Sequence, residues 1–248
     1  MSIVPTGRAA RLAMAKGYPF EIPGACVLYE DGQSTVLSAG DAAIATRGRV
    51  PVIGCGSNQS PAQIARKYSA FPAGTRIPMQ RARLAHFDVV YSAHITAYGA
   101  IAATLQHVER TEVAVAVLWL DPDQLAHMHT TESPGENYAY VRMERIDLAL
   151  ADGRRLDAAW AYNSLHGCLL DGGEEVALAA VPAHARRLRA HDQEAMLAAV
   201  HRRVGHEDDL DSFILANVHD PTVRRARIAA LRADALPFRW PHAVVETV

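Results

Sequence analysis

The chain has 248 residues and a formal net charge of −2, from 25 basic and 27 acidic side chains, and half of its residues are hydrophobic. That composition is globular and excludes a disordered chain, while the near-balance of charge gives no overall basic field of the kind a nucleic-acid partner requires. No run reaches the roughly 18 to 20 apolar residues of a membrane-spanning helix. Arg8, Arg11 and Lys16 interrupt the N-terminal apolar residues, so neither leader nor anchor is expected. Three scattered cysteines, Cys26, Cys55 and Cys168, without CxxC spacing, point to a reducing, cytoplasmic setting.

In chain order, three sections emerge. In residues 1–49, the runs 25–29 and 34–37 flank Asp31-Gly32 and predict a hairpin, with loops elsewhere. Residues 50–165 alternate strands and helices: strands are predicted at 50–53, 89–91, 95–97, 113–120, 138–143, 146–150 and 158–162. Residues 166–248 read as helical, over 174–180, 192–204, 210–218 and 221–233, packed on the sheet without a linker.

Two segments carry candidate chemistry. After the strand at 50–53, Gly54-Cys55-Gly56-Ser57-Asn58 forms a glycine-rich turn, and a helix is expected to open with Ser60 as N-cap, Pro61 at N1 and Gln63 completing a capping box. The turn amides suit an anionic group; a plain tight turn is the other reading. In the second, Asp121 caps a helix opened by Pro122, and Leu125, Met128 and Glu132 share one face. A carboxylate held among apolar neighbours loses hydration, which suits general acid/base work; if the helix ends earlier, Glu132 is simply solvated.

His127 and His129 point apart by about 200° on a helix, so no metal site is expected. Cys55, between two glycines at a strand-to-helix turn, is either a nucleophile or a small packing residue at a strand end.

The order of these pieces resembles the γ-glutamylcyclotransferase-like superfamily over about residues 50–165. Cys55-Gly56-Ser57-Asn58 is similar to the family's Tyr-Gly-Ser-Asn loop, with Cys55 in place of the tyrosine. Gly99 to Thr104 resembles its Gly-x-x-Ala-Thr segment with one extra residue, Val113 to Trp119 its hydrophobic-Trp strand, and Asp123 to Glu132 the helix ending in the catalytic acid, with Tyr138 following.

The resemblance implies an α+β fold with a small mixed barrel-like sheet flanked by helices, to which the helical spacing adds a helical C-terminal section. It implies cyclisation of a small-molecule γ-glutamyl compound to 5-oxoproline with amine release, without metal or organic cofactor; the charge balance and the lack of a long apolar run add the expectation of no nucleic-acid and no membrane partner. Glu132 would move protons, and Cys55, Gly56, Ser57, Asn58 and Tyr138 would line the substrate site. A non-catalytic binding module on the same fold and a thiol amidohydrolase using Cys55 are the alternatives.

Overall fold

The computed structural model describes residues 4–247 as an α+β protein built on a closed, five-stranded mixed β-barrel with additional strands. The barrel strands are β3 (Val50–Gly54), β4 (Arg76–Ile95), β5 (Ile101–Leu120), β6 (Tyr138–Leu150) and β7 (Arg155–Ser164). β3 pairs antiparallel with β5, β5 with β4, β4 with β6 and β6 with β7, and the parallel pairing of β7 with β3 closes the ring. Alternation along the strands separates two faces. Ile53, Val115, Val117, Val141, Met143 and Ala161 belong to one buried cluster, which fills the barrel. The intervening Val52, Leu118, Tyr140 and Tyr162 form a second cluster with Ile64 of α3 (Pro61–Lys67) and Met128 of α4 (Pro122–Glu132), which clamp the barrel from outside.

Before the barrel come β1 (Val27–Glu30) and β2 (Gln33–Val36), the expected hairpin, with Asp31 and Gly32 both at positive φ as a two-residue turn requires. β1 also pairs with β4, extending the sheet. The remainder of this section is not loop: it contains α1 (Arg8–Lys16) and α2 (Ala39–Ala45). α1 ends in Lys16, bonded to Asp211 at 2.8 Å; α2 is capped by Ser38 through the Asp41 amide. α1 carries three basic residues among alanines, opens from Gly7 without a side-chain cap, and packs on α6 (Leu210–His219).

The runs 89–91 and 95–97 are not separate strands. The first lies within β4, which the second enters only as far as Ile95. The division in the pattern falls where the β4–β5 register slips between Tyr91 and Ile95, and a second slip sits between Ala85 and Phe87. Such bulges bend a ribbon. β4 and β5 therefore carry their distal halves beyond the barrel and bring His94, Thr96 and Tyr98 to its rim.

The C-terminal section has α5 (Gln193–Val204), α6 and α7 (Pro221–Arg232), each opened by an aspartate N-cap, Asp192, Asp209 and Asp220. The segment 174–180, expected as a helix, instead contains the short strands Glu174–Glu175 and Ala177–Leu178. Ala177 pairs with Val90 and with Ala190, so tertiary edge pairing overrides the local helical spacing. Among the described residues no helix is long and apolar enough to cross a membrane.

One contact ties the N-terminal section to the barrel rim. Tyr18, buried, accepts the Ala103 backbone N–H at 2.8 Å. Tyr18→Phe would leave that amide unpaired in the interior and should lower stability by about 1–3 kcal/mol. For a chain of this size that corresponds to a fall in melting temperature of about 2–4 °C per kcal/mol, read by thermal unfolding.

Candidate functional site

A cavity of about 280 Å³ opens at the barrel rim where β3 ends. Cys55, Gly56, Ser57, Asn58, Glu132 and Tyr138 all line it. The sequence signals, separated by up to 83 positions, therefore converge on one site.

α4 presents Glu132. Asp121 and Gln124 form a reciprocal capping box, Pro122 occupies the first turn, and Ser133, at φ 48, ends the helix directly after Glu132. The helix thus runs far enough to carry Glu132 inward, and the residue is 8 % exposed. Its surroundings differ from the expected apolar setting. Asn58 Nδ2 donates to Glu132 Oε1 at 2.7 Å, and Lys67 Nζ forms an ion pair with the same oxygen. Among the described residues nothing donates to Oε2.

Lys67 escapes a motif-based reading because it is the terminal residue of a short helix. The signal that could have found it is compositional. The chain has two lysines, Lys16 and Lys67, against 23 arginines. One of the two stands buried against a carboxylate, as a compact ammonium rather than the guanidinium fork used at the other largely buried pairs, Arg227 with Glu207 and Arg186 with Asp88.

The loop after β3 turns through a short 3-10 segment, Ser57–Gln59, and only then enters α3. The expected capping box is absent: Ser60 makes no side-chain cap bond, and its buried Oγ has no partner among the described residues. The 3-10 turn satisfies Gln59 and Ser60 through Gly56 and Ser57 carbonyls, which leaves the Ser57 and Asn58 amides at its open end. Gly56 is required by crowding, since a Cβ there would lie 2.2 Å from Tyr18 Oη. Tyr18, on the N-terminal section, is thus a wall of the cavity and was not marked by any motif.

Tyr98, Tyr138 and Tyr18 also face the cavity, and burial raises all three phenols; for Tyr98 the rise is to about 12 despite the Ser57 and Thr96 hydroxyls. Cys55 is buried, and desolvation followed by the nearby Glu132 charge pushes its thiol up to about 12. That is the opposite of an activated nucleophile. His127 bonds to the Lys67 carbonyl and His129 to the Tyr162 hydroxyl, so the two imidazoles serve different neighbours.

Two buried polar atoms on the cavity wall take no hydrogen bond among the described residues, Asn58 Oδ1 and His94 Nδ1. His94 stacks on His166 with ring centroids 4.6 Å apart. Burial, then the neighbouring positive groups, lowers His94 to about 3 and His166 to about 4.

These groups give two pH-linked expectations. At pH 8, iodoacetamide should modify the partly exposed Cys26 and spare Cys55 and Cys168 until denaturant is added, as peptide mass mapping would show. The imidazoles bind protons in the unfolded chain from about pH 6.5 downward, whereas the folded pair resists until about 4 and 3. Their contribution is therefore complete above pH 6.5 and is lost as the pH falls. Denaturant titrations at pH 7 and pH 4.5 should show a smaller acid loss for His94→Phe than for the wild type.

Comparison with protein-family models, with curated proteins and with solved structures found no match to this chain.

Proposed function

We propose that the protein is a γ-glutamylcyclotransferase-like enzyme that closes a γ-glutamyl compound into 5-oxoproline and releases an amine. The observation that carries the reading is the 2.7 Å bond between Asn58, from the loop after β3, and Glu132, from the end of α4, at the mouth of one small cavity. A buried carboxylate with one oxygen held and the other open, beside free loop amides, is the minimum such a reaction needs.

The substrate supplies both reacting groups. Glu132 Oε2 takes a proton from the α-ammonium, and the free amine attacks the γ-carbonyl carbon of the same molecule. A C–N bond forms, and negative charge on the former carbonyl oxygen is met by the Ser57 and Asn58 amides. Glu132 then returns its proton to the departing nitrogen and the original amide bond breaks; the second proton, which the attacking nitrogen sheds on becoming the lactam N–H, passes through the same carboxylate to the freed amine, so lactam and an ammonium leave with no water consumed. Holding the substrate folded for attack supplies several kcal/mol through intramolecularity, and positioned proton transfer adds about 10²–10⁴-fold. Tyr18 offers the aromatic wall that Cys55, standing where the family has tyrosine, does not. The small volume suits a single glutamyl head group rather than a larger ligand.

Incubation with γ-glutamyl amino acids, γ-glutamyl amines and glutathione should release 5-oxoproline and amine in equal amounts, measured chromatographically. Free glutamate as the main product would indicate hydrolysis instead, and saturable binding without product would favour a binding module. Glu132→Gln should lower turnover by about 10²–10⁴-fold. Because it leaves the Lys67 ammonium buried without its counter-charge, the double variant Glu132→Gln/Lys67→Met serves as the folded control. Retained turnover in either folded variant would remove Glu132 from the mechanism.

A further inference from the structure

A second cavity, of about 490 Å³, lies between the ends of β6 and β7 and the C-terminal tail. It is separate from the Glu132 cavity, with the His94–His166 stack between them: His94 lines the first and His166 the second. Asn163 lines this second cavity and is 2 % exposed, yet neither its Oδ1 nor its Nδ2 takes a hydrogen bond among the described residues. An amide buried without partners carries the full cost of its desolvation, so it marks a place where polar groups from elsewhere belong. His166 repeats the pattern. Its Nε2 lies 3.2 Å from Asn137 Oδ1, an atom that only accepts, so Nε2 carries the proton and the unpaired Nδ1 is an acceptor.

The rest of the wall narrows the ligand. It contains no acidic side chain, and its cation is Arg232, whose guanidinium has only a 3.4 Å contact to the Leu165 carbonyl. Phe238 and Trp240 supply aromatic surface. One free cation, a matched donor and acceptor on Asn163, an acceptor on His166 and two aromatic faces describe the complement of a carboxylate, a secondary amide and an apolar group.

We propose that this cavity is a binding site for an N-acyl amino acid. The carboxylate pairs with Arg232, the amide C=O accepts from Asn163 Nδ2, its N–H, on the opposite side of the trans amide, donates to His166 Nδ1, and the acyl group lies against Phe238 and Trp240. The assignment is independent of the reaction proposed for Glu132.

Hippurate carries all three features and is the probe. Calorimetric titration of the whole protein should give saturable binding of hippurate, with its methyl ester binding about tenfold more weakly because it lacks the charge Arg232 recognises. Arg232→Gln should lose hippurate affinity by a similar factor. Asn163→Leu, of similar volume and without the unpaired amide, should melt at or above the wild-type temperature while losing about tenfold in hippurate affinity. No saturable binding of hippurate up to about 10 mM, equal binding of acid and ester, or unchanged affinity in Asn163→Leu would overturn the proposal. So would a fall in the melting temperature of Asn163→Leu, which would mean that the protein itself satisfies the amide.

Discussion

The ion pair between Lys67 and Glu132 is the constraint around which the barrel rim is arranged. Both side chains are nearly inaccessible, and a buried charge is tolerated only with a counter-charge and hydrogen bonds. The position is unfavourable for a second reason, since Glu132 is the last residue of α4, where the helix presents unpaired carbonyls and partial negative charge. Lys67, itself the last residue of α3, and Asn58 bring positive charge and an N–H to that end. Two helices from different parts of the chain must therefore terminate at the same point. The aspartate box and Ser133 fix where α4 starts and stops, and Gly56 lets the loop ahead of α3 pass beneath Tyr18.

What was legible in the sequence was whatever depended on local chemistry. The Asp31-Gly32 turn, the Asp121 cap with Pro122, the valine–alanine alternation of β5 and the three aspartate-capped C-terminal helices each carry their own signal within a few residues. What was not legible depended on partners distant in sequence. α1 opens without a side-chain cap, and its partner, α6, is some two hundred residues away. The strand at 177–178 forms on edges offered by Val90 and Ala190, that at 174–175 on Leu170 and Asp171, and the pattern of β4 is divided because its bulges break the period-2 alternation. The site divides in the same way: Gly56, Ser57, Asn58 and Glu132 lie in patterned segments, whereas Lys67, Tyr18 and His94 reach the cavity through tertiary packing.

The misjudged environment of Glu132 has the same origin. Helical spacing correctly placed it on the face of Leu125 and Met128, but that face ends at the barrel rim, and the neighbour it meets there is Lys67. Periodicity reports which side of a helix is covered and is silent on what covers it. The absent capping box at Ser60 is a related case. The 3-10 turn inserted ahead of α3 takes the Ser60 amide as its own donor, so the helix begins from a geometry that the four-residue pattern does not describe.

A five-stranded barrel is too narrow to hold a ligand among its strands; its bore is filled by Ile53, Val115, Val117, Val141, Met143 and Ala161. Polar chemistry is thereby confined to the rim, where β3 ends in Gly54, β6 begins with Tyr138 and β7 ends with Ser164. Strand ends alone do not make a cavity, because an open rim is simply solvated. Here the bent β4–β5 ribbon, the N-terminal section with Tyr18 and the C-terminal tail with Phe238 and Trp240 close over different arcs of the same rim. The arcs meet at His94 and His166, one from the ribbon and one from the turn after β7. Stacking two imidazoles demands that both stay neutral, since two cations at that distance would repel, and burial enforces it. The terminal sections thus turn one barrel end into two open pockets of different chemistry, one with a paired carboxylate and one with an arginine at its edge.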